Sequence, residues 1–298
     1  MGPAAVPAVL RRARPLLGTV VEIGLCWPVG LADGTGPAAC PAVGGDGARA
    51  DAAHAALEAG FAAIHHAQAC LSRFDPASDL SRFHALGVGQ RLAVRPVTGQ
   101  VLAAAQALRL ASDGLFDISV GSAPAGWWLN GAWLEKRDGA VRLDLGGIGK
   151  GHAVDLAVQA VQDHGAVAGW VNAGGDLRAF GDLDLPVQLR QAGGGVRTFA
   201  HLRDGAFATS AFGPGQRSSL AGRVADRFDG VAATRPARCR RSSRAGRSDT
   251  ADTAHVSVAA PLCLWADALT KVVAASGNPA HALLAQHGAS AWWHGMPP

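Results

Sequence analysis

The passage through residues 140–165 constrains the fold more than any other. It reads "AVRLDLGGIGKG" and then "HAVDLAVQAVQDHG". The first half is patterned as a strand entering a glycine loop, the second as a helix leaving it and ending at Gly165. Between them four glycines fall in eight residues, Gly146, Gly147, Gly149 and Gly151, with Lys150 among them and Asp144 and Asp155 at the ends. Such glycines let backbone approach an anion, and the helix start adds a partial positive charge to that of Lys150. A plain strand-to-helix turn satisfies the same pattern. Two known phosphate loops are excluded by spacing. A Walker loop needs glycine five positions before Gly149, where Asp144 stands, and Ser or Thr after Lys150, where Gly151 stands. The Rossmann fingerprint fails because Gly147, Gly149 and Gly151 alternate.

The surrounding pattern sets the class. Residues 17–26, "LGTVVEIGLC", predict a strand. Leu57, Phe61, Ile64 and Leu71 predict one helix, and Val101, Leu102, Ala105 and Leu108 a second over 97–112. The adjacent His65 and His66 point to different faces of the first helix and read as a surface pair, since one helix offers no third metal ligand. Residues 72–86 form a turn-rich link. Residues 114–131, "GLFDISVGSAPAGWWLNG", read as a pocket-lining or tightly turned segment. "GWVNAGGDLRAFG" (169–181) reads as strand, glycine turn and strand, and "LPVQLRQ" with "VRTFAHLRDGAFATS" as a hairpin. "VSVAAP" (256–261) predicts a strand, followed by helices over 264–276 and "HALLAQHG". Hairpin-like pairs without regular βαβ alternation predict an α+β protein rather than a doubly wound sheet. Residues 27–49 and 212–254 lack period and read as loop insertions.

Composition excludes several classes. With 298 residues, 49% hydrophobic and 17% charged, the chain can bury a large core. Its net charge of +4 is too small to argue for nucleic acid. "RPARCRRSSRAGR" (235–247) holds six arginines and no acid, but no aromatic is interleaved, and it reads as a solvated insertion. Five scattered cysteines without a C-x-x-C pair indicate neither zinc nor a disulfide framework. No apolar run reaches the about 18 residues of a membrane span. The arginines at the start follow an apolar stretch, the reverse of a signal peptide, so a cytoplasmic location is expected, or a periplasmic one with a leader.

A second glycine turn, Gly174-Gly175 flanked by Asn172 and Asp176, could line one site with the first, or the two are simply tight turns. A third cluster is "ADALTK". Asp267 and Lys271 lie four apart on the predicted helix and share a face. This is a simple ion pair, or a carboxylate placed to hold Mg²⁺ beside a phosphate.

The collinear order of "LLGTVVEI", "LSRFDPASDLSRF", "GLFDISVG", "DLGGIGKGHAVD", "VNAGGDLRAFG", "FATS" and "VSVAAP…ADALTK" resembles the ApbE family over residues 15–290. The resemblance implies a single ApbE-like domain of antiparallel sheets and packed helices, two interleaved T-fold-like subdomains with a nucleotide between them. It implies an FAD:protein FMN transferase, which splits the pyrophosphate of FAD with Mg²⁺ and leaves FMN on a Ser or Thr hydroxyl of an acceptor protein, releasing AMP. A decayed FAD-binding protein and an FAD pyrophosphatase are the alternatives. Carried over by position, Leu17, Phe74, Leu115, Phe116, Asp117 and Lys150 would contact FAD. The backbone carbonyl of Gly147 and the side chains of Asp267 and Thr270 would serve the metal. The chain departs from the family at two places. Lys271 stands where the family has a ligand Thr, with Thr270 one residue early. In "DRFDGVAATR" (226–235), Asp226 stands where the family has a His. Asp229 and His255 remain as catalytic candidates.

Overall fold

The computed structural model describes residues 8–27, 46–119, 121–190, 195–212 and 254–294. Asp229, the arginine-rich 235–247 stretch and most of both expected insertions lie outside these residues. The strands are β1 (Ala8–Leu16), β2 (Thr19–Trp27), β3 (Arg91–Ala93), β4 (Trp127–Asn130), β5 (Trp133–Lys136), β6 (Ala168–Ala173), β7 (Asp176–Phe180), β8 (Leu185–Arg190), β9 (Val196–Leu202), β10 (Gly205–Phe212), β11 (Ala254–Ala260) and β12 (Ser290–His294). The helices are α1 (Asp46–Leu71), α2 (Asp79–His84), α3 (Pro96–Ala111), α4 (Gly149–Asp163), α5 (Cys263–Ser276) and α6 (Ala282–Gln286). One sheet of seven strands runs β1-β2-β6-β7-β10-β11-β12, and every pairing in it is antiparallel. A three-stranded sheet β3-β5-β4 and the β8–β9 hairpin complete the strands. The α+β expectation is met.

Two packed regions share α5. Val21, Ile23 and Leu25 of β2 are fully buried by alternation and pack with Leu57, Phe61 and Ile64 of α1 and Val154, Val158 and Val161 of α4. On the other side Val101, Leu102 and Leu108 of α3 pack with Trp127, Leu134, Val256 and Val258. Cys263 and Ala266 of α5 belong to the first region, and Leu264, Leu269, Val272 and Val273 to the second. Burial on nearly every side explains why α5 carries so many alanines. Such a position makes its two charged residues, Asp267 and Lys271, conspicuous.

Asp155 joins α4 to α5. Its carboxylate accepts from the backbone N–H groups of Cys263 and Leu264, both at 2.9 Å, and from Arg178 at 2.8 Å. It thus satisfies two of the free donors at the start of α5, whose N-cap Leu262 has no capping side chain. Gly151 permits the same approach. A Cβ there would lie 2.3 Å from the carbonyl oxygen of Cys263.

Three expectations need correction. Residues 141–145 are not a strand. Their N–H groups find partners in loops instead. Leu143 donates to the His84 ring and Asp144 to the Ile118 carbonyl. The helix begins at Gly149 rather than at residue 152, so the last two glycines belong to its first turn. The N-terminal β1 and the small sheet β3-β5-β4 were not expected, nor was α2 within the 72–86 link. The 114–131 segment is tightly turned and contributes Phe116 and Trp127 to the core.

Candidate active site

A cavity of about 710 Å³ opens between the β1–β2 turn, the end of α1, the start of α4 and the inner side of β10 and α5. Leu17 and Gly18 form the turn, both with positive φ, 55° and 70°. This is the mirror-image turn geometry that suits a tight hairpin. Leucine is an unfavourable residue there, and its N–H is held by the Gln68 side chain at 2.6 Å. Phe74 stands 82% exposed at the rim with the Arg73 guanidinium over its ring. Gly146, Gly149 and Lys150 bring the start of α4 to the cavity, and Ser210 and Lys271 close the far wall.

The polar floor is a cluster of two lysines and two aspartates. Lys150 donates to Asp176, which sits just after the Gly174-Gly175 turn on β7. Lys271 donates to Asp267 Oδ1, to the Asp267 carbonyl at 3.1 Å and to Ser210 Oγ at 2.8 Å. Asp267 Oδ2 faces the Gly151 N–H at 3.4 Å. Ser210 hydrogen-bonds to Thr270 at 2.8 Å, and Thr270 donates to the Asp267 carbonyl at 2.7 Å. The four charges tune one another. Burial and the charge of Asp267 push the Asp176 carboxyl up to about 6, against the pull of Lys150 and Lys271. Burial works against ionised Asp267, but Lys271 and Lys150 hold its carboxyl below the usual range. Burial also opposes the Lys150 ammonium, and Asp267 and Asp176 outweigh it, holding the group well above the usual value.

The structure brings Leu17, Phe74 and Lys150 together at one cavity, with Asp267 and Thr270 beside its wall. Leu115, Phe116 and Asp117 do not contribute to that wall. Phe116 is core, and Asp117 lies 3.9 Å from Arg109. Gly147 is buried between the cavity residues Gly146 and Gly149 but is not itself in the wall. His255 is exposed on β11. Alternation places it on the same face as Ser257, which bonds Thr209 and His294, and opposite Val256 and Val258, which pack with α5. It is therefore remote from Lys271. Gln68 and Ser210 were missed, and Asp176 was read only as a flank of the second glycine turn, not as the partner of Lys150. For Asp176 the glycine turn was a signal, but its partner Lys150 lies 26 positions away.

The residues present do not fit a divalent cation. One Asp267 oxygen carries the Lys271 ammonium, which has donors and no lone pair to ligate a metal. The Thr270 hydroxyl gives its proton to the Asp267 carbonyl, and its oxygen is engaged by Ser210 at 2.8 Å. Among the described residues no group of three or more His, Cys, Asp or Glu side chains is arranged to hold a metal.

An antiparallel α+β frame thus carries a cavity with an apolar turn on one side and, on the other, Lys150 at a helix start and Lys271 within a buried helix. The sequence profile of the ApbE family matches residues 17–132 and 124–293, and the chain belongs to that family. Solved structures share the fold. The flavin transferase ApbE from Vibrio cholerae superposes with a TM-score of 0.65 at 18% identity, over 91% of this chain and 87% of that one. The apo flavinyl transferase ApbE from Pseudomonas stutzeri gives 0.66 at 19%, over 96% and 91%. The ApbE protein from Thermotoga maritima gives 0.61 at 19%, over 91% and 87%. No curated protein sequence matches the chain.

Proposed function

We infer that this protein is a flavin transferase that takes FAD as substrate and moves FMN to a Ser or Thr hydroxyl of an acceptor protein. The acceptor oxygen bonds to the FMN phosphorus, the pyrophosphate P–O bond breaks, the hydroxyl proton is lost and AMP leaves. The observation that carries this reading is the joining of Leu17, Phe74 and Lys150 at a single cavity, in a member of the ApbE family. Leu17 and Phe74 offer apolar surface to a flavin or adenine ring. Gly146, Gly149 and Lys150 offer a helix start and a full charge to the pyrophosphate. Phosphoryl transfer depends mainly on such positioning and charge. We read residues 15–290 as one domain of this kind.

Among the described residues no imidazole stands at the cavity wall. A second reading, a protein that binds FAD without transferring it, is supported by Asp226 where the family has a His and by Lys271 where it has a ligand Thr. Incubation with FAD and a candidate acceptor separates the readings. A fluorescent acceptor and released AMP establish transfer. AMP without labelled acceptor indicates a pyrophosphatase. Intact bound FAD indicates a binding protein. Failure to bind FAD under any condition rejects the flavin reading altogether.

A further inference from the structure

The metal expected at Asp267 has a substitute in the chain itself. An ammonium has three hydrogens, and Lys271 directs them at three oxygens, the Asp267 carboxylate, the Asp267 carbonyl at 3.1 Å and Ser210 Oγ at 2.8 Å. A bound cation would gather the same kinds of oxygen. Asp267 is 0% exposed and Lys271 5%, yet Lys271 belongs to the cavity wall. A buried carboxylate needs a partner charge, and this one comes tethered by four residues of helix. The surrounding hydroxyls are arranged to suit the lysine. Lys271 donates to Ser210, leaving the serine proton for Thr270 and the threonine proton for the Asp267 carbonyl. The network closes with every donor used. A divalent ion would have to displace Lys271 from Asp267 and would then sit beside two ammonium groups, since Lys150 also acts on this carboxylate.

We propose that the Lys271 ammonium permanently takes the place of a divalent cation at Asp267, so that this protein receives its anionic ligand with lysine charges and no metal. The cation half stands on the geometry alone. The ligand half rests on the flavin reading above, and the two are tested apart.

The first measurement titrates Mn²⁺ into the full-length, nucleotide-free protein and follows free Mn²⁺ by electron paramagnetic resonance. Wild type is expected to leave the metal free, and Lys271→Thr to bind about one equivalent at the Asp267 carboxylate freed of its ammonium. One tight equivalent on wild type, lost in Asp267→Asn, overturns the proposal. The second measurement titrates FAD by calorimetry in EDTA and in excess Mg²⁺. Wild-type affinity is expected to agree within about twofold, while a loss of about tenfold or more in EDTA overturns the metal-free claim. If Lys271→Thr fails to fold, the two wild-type measurements decide alone. FAD binding under neither condition rejects the flavin reading, and the Mn²⁺ result then still decides the cation claim.

Discussion

At the scale of single residues the site turns on competition for Lys150. Its ammonium is paired with Asp176, whose carboxyl is pushed up to about 6 by burial and by Asp267. Above that pH the carboxylate competes with any anionic ligand. Below it Asp176 is neutral and the Lys150 charge is released to the cavity. FAD affinity should therefore rise as pH falls from 8 to 5, by up to about tenfold for each pKa unit that the bound anion adds to Asp176. Calorimetry across that range tests this, and Asp176→Asn should flatten the profile. The same raised carboxyl contributes stability below the ordinary carboxylate range, and that contribution is lost as pH rises through about 6. Affinity and stability thus change in one direction. Lys150→Ala should weaken FAD by about tenfold to a hundredfold, the worth of a charge-assisted phosphate contact of about 1.5–3 kcal/mol. Riboflavin, which carries no phosphate, should lose little. Equal losses for both ligands would place the phosphates elsewhere. Lys150 was legible in the sequence because glycines isolate it at a helix start. Asp176 was legible as a flank of a glycine turn, but its pairing with Lys150 was not, because a hydrogen bond between two separate elements leaves no periodic trace.

At the scale of elements, two glycines of one loop have separate reasons. A Cβ on Gly149 would meet Leu145 Cβ at 3.4 Å and Leu71 at 3.8 Å, ordinary contact. A Cβ on Gly151 would meet the Cys263 carbonyl oxygen at 2.3 Å and Leu264 Cα at 2.9 Å, and backbone on both sides cannot yield cheaply. Gly151→Ala should cost about 1–3 kcal/mol or more by forcing α4 from α5. Gly149→Ala should be close to neutral, since alanine favours helix by about 1 kcal/mol. Thermal melts of the two variants check the contrast, and similar melting temperatures would show that α4 and α5 are not in tight register. Hence the glycine loop, read in sequence as a phosphate approach, is also a helix-packing device. The strands and helices with clean apolar period, β2, α3 and α5, were readable from sequence. Residues 141–145 alternate buried and exposed like a strand, yet their backbone bonds go to the His84 ring and the Ile118 carbonyl. Alternation reports burial of a face and says nothing of whether a second strand lies alongside. The FD segment, outside this cavity's wall, is a similar case. Its Phe116 satisfies the apolar signal by filling the core.

At the scale of the molecule the cavity is assembled from distant parts of the chain. Leu17 comes from the first hairpin, Phe74 from the link after α1, Lys150 from α4, Ser210 from β10 and Lys271 from α5. The large sheet is interleaved in the same way, with the β1–β2 hairpin joined through β2 to β6 and the C-terminal β11 and β12 joined through β10. No local fragment presents the site. A ligand held there binds only when the β1–β2 turn, α4 and α5 are all in place, so its free energy should suppress the opening of each. At a free concentration about 100 times its dissociation constant, FAD should add about 2.7 kcal/mol to the stability of the folded form. Hydrogen exchange read by mass spectrometry should then show slowed exchange in the β1–β2 hairpin, in the first turns of α4 and throughout α5 at once. Peptides from the β8–β9 hairpin, which packs through Phe199 and Phe207 on the side of the sheet away from the cavity, should change only to the extent that they open with the whole molecule. Slowing confined to α4 would mean that the ligand sits on the helix start alone, and the cavity would then not be the binding site.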